Sequence, residues 1–268
     1  SSNVSQNQGG AIKATNCVIE NNYGSCNFLN NIAATHGGVI YSTTTSITNN
    51  AGDIIFSNNS ARNNEGGAIY ASTSITISKN KGAIVFTWNH AGNGSACYAS
   101  NTCSLTNNSG PITFSHNFAF SKGNSRNGGA IKAETVILEN NSSPITFKDN
   151  QSSENAGACH FASLTIRNNG PVNFLRNIAC WGGALLNYSN TNGGTLVLSA
   201  DNGDITFNEN YSFNVNSTTP PYRNCCHWTQ NLNVMFSARA GFSIKFYDPI
   251  EHKYLTNTAC RFNPEPYH

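Results

Sequence analysis

Seven times along this chain a Phe is followed three residues later by Asn: Phe28–Asn31, Phe56–Asn59, Phe86–Asn89, Phe114–Asn117, Phe147–Asn150, Phe174–Asn177 and Phe207–Asn210. The Phe-to-Phe steps are 28, 30, 28, 33, 27 and 33 residues. A second motif keeps the same beat: Gly9-Gly10-Ala11-Ile12, Gly37-Gly38-Val39-Ile40, Gly66-Gly67-Ala68-Ile69, Gly128-Gly129-Ala130-Ile131 and Gly182-Gly183-Ala184-Leu185. Two degenerate copies, Gly94-Ser95-Ala96-Cys97 and Ala156-Gly157-Ala158-Cys159, fill the gaps. Such a period marks a stack of like units, each burying its apolar face on its neighbours.

One unit, residues 66–89, contains three β-prone runs: Ala68-Ile69-Tyr70-Ala71, Ser74-Ile75-Thr76-Ile77 and Ala83-Ile84-Val85-Phe86. Gly, Asn, Lys and Ser bound them as turn residues. Strands alternating with helices would need longer periodic segments. The expected fold is therefore all-β: a right-handed parallel β-helix with three short strands per coil and about eight coils. Coils about 4.8 Å apart would make a rod about 40 Å long. Each Phe should stack on the next inside the rod. Each motif Asn is expected at a turn, in left-handed backbone, with its side chain able to ladder from coil to coil. The Gly pairs permit a tight turn. The residue after Gly-Gly-Ala forms a further inward column: Ile12, Ile40, Ile69, Cys97, Ile131, Cys159 and Leu185.

Composition narrows function. Charged residues are 10% of the chain and the formal net charge is +2. No Lys/Arg cluster is dense enough to neutralise a row of phosphates, so no nucleic-acid partner is expected. With 38% hydrophobic and 10% aromatic residues, a core is available. No run of about 18 apolar residues exists to cross a bilayer as a helix. No signal peptide is visible, and Ser1-Ser2-Asn3 reads as mid-protein sequence, so a fragment of a longer chain is expected.

The repeats are expected to occupy 1–210, an irregular insert 211–233, and a closing coil with cap 234–268. Phe246 takes the eighth Phe slot, and Pro249 stands where Asn is expected.

Gly-Gly-Ala-(Ile/Leu/Val) alternating in phase with Phe-x-x-Asn resembles the polymorphic membrane proteins (Pmp) of Chlamydia. Residues 238–250, ARAGFSIKFYDPI, are similar to the segment closing that family's repeat region. The resemblance covers nearly the whole chain. It implies the passenger of an autotransporter adhesin, displayed on the bacterial outer membrane by a C-terminal barrel that this chain lacks. It also implies a host-cell surface protein as receptor, oligomers with other Pmp passengers, and a part for both motifs in adhesion. No cofactor is implied.

Read from the residues, however, Phe-x-x-Asn is core and turn first. Better contact candidates lie one position after the inward column, at Lys13, Tyr41, Tyr70, Tyr98, Lys132, His160 and Leu186. Strand alternation turns this column outward. Tyr flanked by cations is an interface composition; the plain alternative is that stacked Tyr merely supports the sheet. Tyr222 and Trp228 in the insert are further contact candidates. A rigid spacer and a polysaccharide-degrading β-helix enzyme are the competing functional classes. The densest acidic group is Asp201, Asp204 and Glu209, but Asp204 fills the turn slot of Asp53, Pro111, Pro144 and Pro171. No catalytic set is expected.

Of nine cysteines, Cys97 and Cys159 are expected as buried thiols two coils apart, about 10 Å, too far to bridge. Cys225, Cys226 and Cys260 are disulfide candidates linking insert to cap; Cys17–Cys26 and Cys97–Cys103 are possible bridges within coils. Cys225-Cys226-His227 begins a metal-type pattern that no spaced ligand set completes.

Overall fold

The computed structural model describes residues 2–120, 128–187, 194–212, 226–228, 232–248, 250–252 and 260–262. Strands coil into three parallel sheets, and every registered pairing joins one coil to the next. One sheet carries the Phe column, in strands such as Ile54–Ser57 and Ile84–Thr87. Phe28, Phe56, Phe86, Phe114, Phe147, Phe174, Phe207 and Phe246 stand in register. Their rings stack in parallel, 4.7–5.0 Å between successive centroids. Each such pair adds about 0.5–1.5 kcal/mol beyond area burial.

The largest sheet holds the Gly-Gly-Ala arm and the strand after it. In two coils these expected separate runs fuse into one strand, Ile40–Thr48 and Ile69–Ser78; elsewhere they stay apart, as Cys97–Ala99 and Thr102–Thr106. The third sheet comes from two-residue strands just after the motif Asn, such as Ser60–Ala61 and His90–Ala91. Those runs are too short to announce themselves in sequence, where two residues show no periodicity.

The inward column continues beyond Leu185 to Cys226, which is buried in strand Cys226–Trp228 inside the expected irregular insert. Cys260 lies in strand Cys260–Phe262, in register with Val234. Tyr222 and Cys225 lie outside the described residues, as does Pro249.

Gly37 and Gly38 show why the turn takes a Gly pair. Gly37 has φ +65°. A Cβ on Gly38 would drive into the carbonyl oxygen of Gly67 one coil on. The degenerate copy puts Ala156 in the first slot at φ 47°, a conformation costly to residues with a Cβ.

The motif Asn residues do ladder, but they do not hold the left-handed backbone. Positive φ falls one residue earlier, at Asn30, Asn58, Trp88, His116, Asp149, Arg176 and Glu209. That reversal turns the next side chain into the rod. Asn59, Asn89, Asn117, Asn150, Asn177 and Asn210 are each fully buried. Each backbone N–H and Nδ2 in the ladder donates to the Asn Oδ1 of the following coil, as Asn89 does to Asn117 at 3.1 and 3.0 Å. At the closing end Asp248 replaces Asn: Asn210 N and Nδ2 donate to its Oδ2 at 2.8 and 3.0 Å. The final rung thus falls one position before Pro249.

A second ladder runs through Asn22, Asn50, Asn80, Asn108, Asn141 and Asn169, buried from Asn50 onward. It follows Ile19, Ile47, Ile77, Leu105, Leu138 and Ile166 by the same three residues, again with positive φ just before each Asn. The rod therefore has two corners of one design, an inward apolar residue, a spacer, a left-handed residue and a buried Asn.

Candidate functional site

Tyr41, Tyr70 and Tyr98 stand in register on the outer face of the largest sheet. Their inward neighbours Ile40, Ile69 and Cys97 are fully buried, so alternation leaves the rings half-exposed. Ring centroids lie 5.1 Å apart for Tyr41–Tyr70 and 5.2 Å for Tyr70–Tyr98, with ring planes nearly parallel at 3° and 4°. Cations close the stack at both ends. Lys13 Nζ lies 5.7 Å from the Tyr41 centroid and Lys132 Nζ lies 5.5 Å from that of Tyr98. Each ammonium sits within range of the ring quadrupole.

His36, which the sequence reading did not single out, packs edge-on to Tyr70 at 4.8 Å and to Tyr41 at 6.1 Å. Its Nε2 lies 2.9 Å from Glu65 Oε2. Burial, then the neighbouring Tyr98, Glu65 and Tyr41, push the Tyr70 phenol above its ordinary value, with a Ser100 hydrogen bond opposing. Burial and Glu65 do the same at Tyr98. Both phenols therefore stay neutral donors at physiological pH, on a rigid aromatic strip with a carboxylate beside it.

The strip ends sooner than expected. His160 is fully buried and Leu186 is 6% exposed. Gly128 packs closely against this part of the column: a Cβ there would come within 2.8 Å of His160 Cβ. His160 is therefore no exposed contact. Trp228 lies in strand Cys226–Trp228.

Cys97 and Cys159 are buried thiols, each held well above the ordinary thiol value chiefly by burial. The expected bridges Cys17–Cys26 and Cys97–Cys103 do not form, and all four thiols are free. Cys17 sits in strand Asn16–Glu20 of the largest sheet and Cys26 in the Phe sheet, on separate faces. Cys97 and Cys103 meet only as a thiol hydrogen bond. Among the described residues no cluster of His, Cys, Asp or Glu is arranged to hold a metal ion.

The acidic group disperses into turn contacts. Asp204 Oδ2 accepts from Lys245 Nζ at 2.6 Å and its Oδ1 from Ser243 N at 2.8 Å. Its carbonyl accepts from Val172 N, as that of Asp53 does from Cys26 N. Asp201 accepts from Asn168 N and Ser199 Oγ. Glu209 lies 3.8 Å from Arg176 Nη1.

A family model described as the Chlamydia polymorphic membrane protein repeat matches residues 16–43, 53–72 and 111–134. The first match runs from the strand before the Phe corner, through Phe28–Asn31, to the Gly-Gly turn and Ile40. Three stretches of the chain are thus similar to the Chlamydia polymorphic membrane protein repeat. Probable outer membrane protein pmp15 of Chlamydia pneumoniae is 43% identical over 121 residues, 45% of this chain and 13% of that protein. Probable outer membrane protein pmp18 of the same species is 36% identical over 146 residues, 54% of this chain and 15% of that protein. Probable outer membrane protein PmpF of Chlamydia trachomatis serovar D is 32% identical over 148 residues, 53% of this chain and 14% of that protein. The matched Pmp segments thus span about a seventh of these relatives' lengths. No solved structure matches the chain.

Proposed function

We propose that this chain is the surface-displayed passenger of a Pmp autotransporter, and that it attaches the bacterium to a host-cell surface protein through Tyr41, Tyr70 and Tyr98. The outer-membrane location rests on the relatives, which are probable outer membrane proteins. The observation that carries the contact surface is the half-exposed Tyr stack closed by Lys13 and Lys132. Stacking fixes the rings in advance, so little side-chain entropy is lost on binding. Partly exposed Tyr is also a residue in which binding hot spots are enriched. We read the chain as a binding rod and not an enzyme, because its carboxylates serve turns and ion pairs. Self-association with other Pmp passengers belongs to the same proposal.

The test is adhesion of beads coated with the purified chain to epithelial cells. The triple variant Tyr41→Ala, Tyr70→Ala, Tyr98→Ala should lose most of that binding while its β-sheet circular dichroism is retained. Undiminished binding would leave the stack as sheet support alone, and no binding by the parent chain would favour a spacer.

A further inference from the structure

The left-handed position before each motif Asn carries more than backbone geometry. The first two coils fill it with Asn30 and Asn58, a residue type that adopts positive φ more readily than most others with a Cβ, and these bond each other at 2.7 Å. From the third coil the same backbone carries Trp88, His116, Asp149, Arg176 and Glu209. Five side chains are thus held at a strain that Asn would reduce, and such strain gathers where the side chain has work to do.

These side chains form one continuous row along the rod. The Trp88 ring stacks on His116 at 4.4 Å and 16°. His116 Nε2 lies 3.6 Å from Asp149 Oδ2. Arg176 Nε and Nη2 grip both Asp149 oxygens at 2.8 and 3.0 Å. Trp88 is nevertheless 54% exposed, among the most exposed large apolar side chains described. Beside the row lies a cleft of about 520 Å³, with His90, Phe118 and Gln151 on its other side and Asn117 between.

We propose that this cleft binds a neutral oligosaccharide. Aromatic faces at Trp88 and Phe118 suit the C–H faces of pyranose rings, and the exposed Gln151 amide, with the Asp149 lone pairs that Arg176 does not take, suits sugar hydroxyls. The charges cancel locally: Lys148 and Arg176 stand against Asp149 and Glu209. Burial lowers the His90 pKa, which keeps that ring neutral. A sulfated or sialylated chain therefore finds no net attraction. An extended peptide finds no open strand edge, because Asn117 N and Phe118 N are already bonded within the rod, to Asn150 Oδ1 and Asn89 O. Coils about 4.8 Å apart give the row from Trp88 to Arg176 a length of about 14 Å, enough for a short oligosaccharide.

The experiment immobilises the purified chain and measures binding of lacto-N-tetraose, chitotetraose, maltotetraose and mannotetraose, with a heparin octasaccharide as the anionic arm. At least one neutral sugar should bind. Trp88→Asn, which restores the side chain the first two coils use, should weaken that binding about tenfold or more without lowering the melting temperature. The triple Tyr variant should bind the sugar normally, so failure here and failure of the Tyr proposal remain distinguishable. Absence of binding by all four neutral sugars, binding of heparin alone, or unchanged binding by Trp88→Asn would each overturn the assignment.

Discussion

The side-chain amide of Asn89 donates to the main-chain carbonyl of Phe56, one coil back, at 3.1 Å. The same Nδ2 donates to Asn117 Oδ1, one coil on, at 3.0 Å, while Asn89 Oδ1 accepts from Asn59 N and Nδ2. The three-residue spacing of the motif thus has a hydrogen-bonding reason. It brings each Asn against the carbonyl of the Phe below, in the dry interior of the corner. Asn117 repeats the bond to Phe86, Asn150 to Phe114 and Asn177 to Phe147.

Asn89→Ala should therefore be strongly destabilising. It strips partners from the buried Phe56 carbonyl and from the N–H and Nδ2 of Asn59, at a cost of about 3 kcal/mol. Urea unfolding followed by circular dichroism measures it. The adjacent Trp88→Asn should stay within about 0.5 kcal/mol of the parent or gain slightly. Equal losses at the two positions would contradict the ladder as the stabilising element.

Gly38 and Gly24 offer a paired test of coil spacing. A Cβ on Gly38 meets Gly67 O, and lies 2.7 Å from Ser60 N; on Gly24 it meets nothing within 4 Å. Gly38→Ala should cost about 3 kcal/mol by forcing coils apart. Gly24→Ala should be near neutral. Thermal melts of both variants decide the matter.

The buried thiols should be chemically silent in the folded rod. Cys97 and Cys159 are fully buried, and burial raises both well above the ordinary thiol value, which suppresses the reactive thiolate. Iodoacetamide should spare them in the native protein while modifying the partly exposed Cys26, and should label all three in urea. Peptide mass mapping reads the result; rapid native labelling of Cys97 would contradict this packing.

The closing coil should loosen in acid. The Lys245 bond, before all else, lowers the Asp204 pKa below its ordinary 3.8. A carboxyl with a depressed folded pKa stabilises fully above the unfolded value, and that contribution fades as pH falls through the folded value. The window therefore lies below about pH 4. Asp204 in turn raises the Lys245 pKa, so the alkaline loss falls above 10.5. Both groups are partly exposed, so the effect is small. Asp204→Asn should flatten the acid limb of the melting temperature, and amide exchange in Ile244–Phe246 should quicken in acid in the parent alone.

Much of the rod was legible in the chain. A strand alternates with period two and parallel coils stack like on like, so each motif copy had to fall in a column with its fellows; the Phe stack, the Ile–Cys–Leu column and the Tyr stack follow. The second corner was legible too, as (Ile/Leu)-x-x-Asn, but hidden in an Asn-rich sequence because Ile and Leu are common strand residues. Tertiary structure alone decided which members of a column meet solvent. His160 is buried, with Gly128 of another coil packed against its Cβ, a relation no local pattern encodes. The row from Trp88 to Arg176 likewise comes together only when residues about 30 apart in sequence stack into neighbouring coils, which sets their side chains against one another along the corner.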